Sequence, residues 1–323
     1  MSRSSSSIGP LSIGNVVNAS LRLYRDNLKT YLSIALTASL WAFSPFLFGL
    51  LIVALIALNV GTNTSLIPAI ILAFLVWLVA VFYCGAKSLK NYALISRLAF
   101  GMLADQPETR TVASESIQPK MWDFLQVQVL LSLFMGLINF GLSLAQSLTV
   151  GLLTSILAGI LGRNNPLVFL ITVVGQFLIL GVYLWVYARF FIPEVPLAME
   201  TKVSSADALN RSWSLSKGMA RQIALIVFVA FLITLPIYLI ASVPLFIAIG
   251  SILASFGGIL GAGVGLSPAA LVPTLIGPIL LTVLFFFAAN VATLAFWQII
   301  KAVIYYDLRN RKEGLDLQLR DTV

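Results

Sequence analysis

The sequence predicts an all-α fold, a polytopic helical membrane protein whose six transmembrane helices form three tandem hairpins flanked by interfacial amphipathic helices. Three observations lead there. Of 323 residues, 59% are hydrophobic and only 10% charged, whereas a soluble globular protein carries charge on roughly a quarter of its residues; there is too little polar material to cover a water-facing surface. No Asp, Glu, Lys or Arg lies between Lys29 and Lys87, between Asp123 and Arg163, between Arg163 and Arg189, or between Arg221 and Lys301, and a spanning helix needs only ~20 apolar residues. Nineteen of the twenty Lys and Arg residues gather at alternate ends of these stretches, leaving only Arg163 in the short turns opposite.

Taken in chain order, Met1–Ser7 lacks the apolar core and small-residue cleavage site of a secretory signal, so the first span is expected to act as an uncleaved anchor. Val17, Leu21, Tyr24, Leu28 and Tyr31 then recur at helical spacing and leave Arg22, Arg25, Asp26 and Lys29 on a polar side, the pattern of a helix lying at a membrane surface. Spans are expected near Tyr31–Ala57, Leu66–Ser96, Trp122–Thr149, Leu167–Phe191, Gln222–Ile249 and Leu275–Tyr305. Turn signals separate the members of each pair: Asn59–Asn63, Gly162–Pro166, and a glycine-rich stretch from Gly250 to Pro273.

Before the fifth span, Ser204 and Asp207 have the spacing of a capping box, Asp207 and Arg211 that of a supporting pair, and Ala206, Leu209, Trp213 and Ala220 form a second amphipathic stripe. Within the glycine-rich stretch an interfacial or re-entrant piece is expected, where Gly257, Gly261 and Gly265 have the spacing that allows close helix approach; a flexible turn fits the same residues. Pro236, Pro244, Pro273 and Pro278 stand where spanning helices would break if they lined a path.

The distribution of cations places both termini in the cytoplasm. It also accounts for the net charge of +8 without nucleic acid, because no basic cluster comes with the interleaved aromatics of a nucleic-acid module. The chain reads as a single membrane domain over 1–323, with repeat-like units near 15–105, 114–200 and 204–310 and flexible tails at 1–12 and 314–323. Arg22-Leu23-Tyr24, Lys120-Met121-Trp122 and Arg211-Ser212-Trp213 mark the entries of the repeats, and Arg97, Arg189 and Lys301 the exits. Cys84, alone in the run Val81–Cys84, excludes an internal disulfide and reads as a small packed side chain.

The tail Tyr305–Leu317, the segment Pro196–Glu200 followed by Ala206–Gly218, and Ser12-Ile13-Gly14 with Leu21–Arg25 resemble the closing, central and opening motifs of a bacterial membrane family. That family is similar to the membrane domain fused to some glycerophosphoryl diester phosphodiesterases. The resemblance implies a six-helix membrane domain in the bacterial inner membrane or another internal bacterial membrane. It does not bring the phosphodiesterase activity, whose separate barrel uses histidine and carboxylates around a metal.

This chain has no histidine, which removes the commonest general base and metal ligand together. Glu194, Glu200 and Asp307 are the carboxylates that a surface-acting, Mg²⁺-dependent lipid enzyme would gather, although their spacing does not favour it. Neither a nucleophile elbow nor a phosphate-binding loop is present. No Asp lies in an apolar run, which disfavours intramembrane proteolysis and a proton-driven pump. Asn139, Gln146, Gln176, Asn290 and Gln298 are the polar amides within the spans, expected to tie helices together.

No catalytic, metal or cofactor residue is therefore expected. Contact with anionic headgroups is expected at Arg22, Tyr24, Arg25, Lys29, Lys120, Trp122, Arg211, Trp213 and Lys217. The favoured function is a non-catalytic scaffold or accessory module that holds membrane lipids or other integral membrane proteins. The alternatives are a facilitator of lipid or neutral-solute movement and a membrane-surface lipid enzyme.

Overall fold

The computed structural model describes residues 12–59, 67–200, 203–262 and 277–314, and helices are the only regular structure among them. In order they are α1 (Ile13–Asp26), α2 (Leu28–Asn59), α3 (Ile67–Leu103), α4 (Arg110–Ile117), α5 (Met121–Gln146), α6 (Leu152–Leu161), α7 (Pro166–Arg189), α8 (Glu194–Met199), α9 (Ser205–Leu215), α10 (Ala220–Ala262) and α11 (Gly277–Glu313). Six helical stretches are long and apolar enough to cross a membrane: Leu28–Ile56, Pro68–Leu103, Arg110–Leu161, Pro166–Met199, Ala220–Gly250 and Gly277–Glu313. The protein is thus an all-α polytopic helical protein. Leu137, Ile160, Phe169 and Phe177 are each more than 60% exposed, and in water a surface of that kind would drive association.

Several helices outrun the expected spans. α3 continues past Ser96 to Leu103 and α11 past Tyr305 to Glu313, because their last turns are packed by protein: Ala99, Ile304, Tyr305 and Leu308 are buried. The third span also continues, through a single π-helical turn at Ser147–Gly151, into α6. α10 runs unbroken through Pro236 and Pro244, so these prolines do not divide it. In α2, Pro45 has no N–H for the Trp41 carbonyl, and the Ser44 hydroxyl donates to that carbonyl instead at 2.9 Å.

The backbone of Gly257 and Gly261 continues α10 rather than forming a separate piece; Gly265, Pro273 and the rest of the glycine-rich stretch lie outside the described residues, as do both expected tails apart from Ser12 and Gly314. Asn27 interrupts the stripe between α1 and α2, yet its N–H donates to Leu23 and its carbonyl accepts from Tyr31, so the two helices are joined by one turn.

The chain divides into two compact units, Met1–Ala19 with Ser96–Val227 and Ile300–Val323, and Ser20–Ile95 with Phe228–Ile299. In the second, α11 runs antiparallel to α2, where Ser39 donates to Asn290 at 3.0 Å and Phe43 stacks edge-on against Phe287, and it meets α1 where the Tyr24 hydroxyl donates to the Ala292 carbonyl at 2.8 Å. α3 is tied to α2 where the Trp77 indole donates to the Pro45 carbonyl at 2.8 Å, and α10 to α11 where Tyr238 meets Thr293 at 2.8 Å.

In the first unit the hairpin of α5, α6 and α7 is closed by a hydrogen bond from the Gln146 side-chain amide to the Gln176 Oε1 and by Gly175, where an added Cβ would come 2.5 Å from Val150 Cγ2. Its far turn is set by Asn165, which caps Leu167 N at 2.9 Å with Pro166 as the first helical residue.

Candidate functional site

The first unit concentrates charge that the sequence spreads over six segments. α8, a buried turn between α7 and α9, is its hub: Val195, Pro196, Leu197 and Ala198 are buried, and the open carbonyls of so short a helix need donors. Lys120 Nζ donates to the Leu197 and Glu200 carbonyls at 3.0 and 2.6 Å, and Arg97 Nη1 to that of Ala198 at 2.8 Å. The same Arg97 holds Glu108 through two nitrogens at 2.7 Å each. At the other end of α8, Lys301 pairs with Glu194 at 2.6 Å, with both side chains less than 20% exposed.

Glu200 accepts from Arg211 Nε at 3.1 Å and from the Tyr305 hydroxyl at 2.7 Å. Arg211 Nη2 continues to Glu313 at 2.6 Å, which also takes Arg309. Burial works against the charged form of Arg211, but Glu200 and Glu313 outweigh it and hold the guanidinium above its ordinary pKa. Asp307 pairs with Arg311 at 2.9 Å. The three carboxylates a surface metal would need are thus each held by a cation, and no group of three or more metal-ligating side chains occurs among the described residues. Beside Asp307, Met219, Gln222 and Ile304 line a recess of water-molecule size.

α9 starts with the expected capping box: Ser204 Oγ accepts from Asp207 N at 3.3 Å and Asp207 accepts from Ser204 N at 3.4 Å. The expected supporting pair is replaced, and the expected stripe is kept only in part, with Leu209 half-buried and Ala220 buried. α9 packs through Ser205, Ala208, Ser212 and Leu215 while Ala206 is exposed and Trp213 is half-covered against Phe190, because hydroxyls find partners in the neighbouring helices: Ser205 donates to the Asp123 carbonyl and Ser212 to that of Arg189. Arg211 turns away from Asp207, whose carboxylate is engaged in the cap, toward Glu200 and Glu313.

The residues expected at headgroups therefore divide. In the second unit Arg22, Arg25 and Lys29 are exposed; Arg22 reaches Asp26 only at 3.9 Å, and among the described residues Arg25 and Lys29 meet no carboxylate. Tyr24 points inward, and burial pushes its phenol above the ordinary pKa. In the first unit Trp122 is 49% exposed and Lys217 is exposed, whereas Lys120 and Arg211 use their charge inside the protein. Trp213 lies with its ring 3.9 Å from the Arg189 guanidinium.

Sequence reasoning passed over Arg97–Glu108, Glu194–Lys301 and Arg189 as partners, treating the cations as exit markers. The signal was available in the scarcity of charge, since twelve acids among so many apolar residues rarely remain unpaired. Compared with protein-family models, curated proteins and solved structures, the chain matches none of them.

Proposed function

We propose that this protein is a non-catalytic integral membrane module that holds anionic lipid, and through it partner membrane proteins, at the cytoplasmic face of a bacterial inner membrane. The resemblance to the membrane domain of glycerophosphoryl diester phosphodiesterases is part of the same proposal, without the catalytic domain. The observation that supports it is the contrast between two sets of charges. Those of the first unit's ion-pair network are paired with one another inside the chain. Arg22, Arg25 and Lys29 stay exposed on helices that lead directly into the first span.

Each basic residue beside an anionic leaflet contributes ~1 kcal/mol, about fivefold in binding. The test is gentle extraction of the full chain from its native membrane with identification of the lipids and proteins retained, followed by the same extraction of the Arg22→Gln, Arg25→Gln, Lys29→Gln variant. The variant is expected to retain less anionic lipid by tenfold or more. Equal retention, or the absence of stoichiometric lipid and partner alike, overturns the proposal.

A further inference from the structure

Arg189 is the anomaly in the first unit. Arg97, Arg211, Arg309 and Arg311 each have a carboxylate partner. Arg189 is more deeply buried, at 6% exposed, and meets no carboxylate among the described residues; its Nε is enclosed without a hydrogen-bond partner. Its close neighbours are indole faces, Trp213 at 3.9 Å and Trp185 at 5.8 Å. Such contacts offset only part of what an uncompensated buried charge costs.

The surroundings add more positive charge. Ser212 and Ser216 donate to the Arg189 carbonyl at 2.9 and 3.1 Å, pinning it to the end of α9. Lys312 Nζ is seated on the same turn, donating to the Ser214 and Lys217 carbonyls at 2.8 and 3.0 Å, within electrostatic reach of both Arg189 and Lys217. Gly218 makes the turn possible with φ of 83°, a backbone conformation that costs glycine little. Three cations are thus held around one turn, and among the described residues none of them pairs with an acid.

We propose that Arg189, Lys217 and Lys312 form a binding site for a phosphoryl oxyanion, walled by Trp185 and Trp213. The proposal rests on the lipid-holding reading above and names its ligand chemistry. A planar guanidinium and two ammonium groups carried on or against the same turn match phosphoryl oxygens, and a setting of cations without a paired acid selects against a zwitterion's cationic end. Trp185 stands at the end of the spanning helix α7, where tryptophan occupies the headgroup level, which fits phosphate carried on a lipid; free phosphate presents the same oxygens.

The test uses the purified full chain in mild detergent. Native mass spectrometry counts bound phosphatidylglycerol against chain-matched phosphatidylcholine, with inorganic phosphate as competitor. Variants are Arg189→Gln, the Lys217→Gln, Lys312→Gln pair, and Arg163→Gln as a charge-matched control from the opposite turn. The Arg189 variant and the lysine pair are each expected to hold the anionic lipid about tenfold or more weakly while Arg163→Gln equals the parent. Thermal melting checks folding, and the lysine pair keeps the test open should Arg189→Gln not fold.

Release of the lipid by millimolar phosphate, or phosphate binding lost in the same variants, assigns the site to free phosphate and supports the oxyanion chemistry; lipid binding indifferent to phosphate assigns it to headgroups. Undiminished retention in a folded Arg189→Gln chain overturns the site. If retention falls only when Arg22, Arg25 and Lys29 are replaced, the Arg189 site fails and the lipid-holding reading stands. A parent chain that holds neither ligand overturns both.

Discussion

Glu200 shows what a single side chain does here, since it joins α8, α9 and α11 through Arg211 and Tyr305. Glu200→Gln keeps the shape but leaves Arg211 with Glu313 alone. A loss of about 1–3 kcal/mol is expected, toward the low end because both side chains of the pair are partly exposed. Adding Arg211→Met should recover part of it, and thermal melting of both variants in detergent decides; a double variant worse than the sum of its parts contradicts the pairing. Gly175 acts through space rather than charge. Gly175→Val drives atoms into Val150 and is expected to cost about 1–3 kcal/mol, whereas Gly181→Ala, facing open space, should be neutral or gain up to about 1 kcal/mol from helix propensity. Equal melting temperatures for the two would remove the close approach from the account of the hairpin.

Among the elements, α9 was the most completely legible at its start and the least so along its length. A Ser three residues before an Asp satisfies orphan N–H groups locally, so the cap could be read from spacing alone. Which face packs was decided by Asp123 and Arg189, whose carbonyls lie far away in sequence and accept from Ser205 and Ser212. Ser204→Ala is expected to cost about 1 kcal/mol, seen as earlier thermal loss of helical signal, with membrane insertion unchanged. α8 illustrates the opposite case: six residues give no usable periodicity, and its place as the hub of the network follows only from the side chains that reach its carbonyls.

At the scale of the molecule, long neutral stretches between basic borders imply immersion, because hydrocarbon rejects unpaired charge. On the proposed topology, cysteines introduced at Ser2 and Thr322 of a Cys84→Ser chain should both react with a membrane-impermeant reagent only after the cytoplasmic side is opened, and one at Asn164 should react before. Labelling of the two termini from opposite sides would end the six-span layout. Sequence by itself determined the helical class, the six apolar spans, the turn at Gly162–Pro166 and the cap of α9, since these depend on local composition and on bonds within a few residues. The tertiary structure alone decided which charges are spent and which are spare. Arg211 and Lys120 are as cationic as Arg22 and Arg25 in the sequence, yet the first two face partners that are distant along the chain, Glu313 and Leu197. Pairing a charge is a property of three-dimensional proximity, which residue type and spacing do not encode.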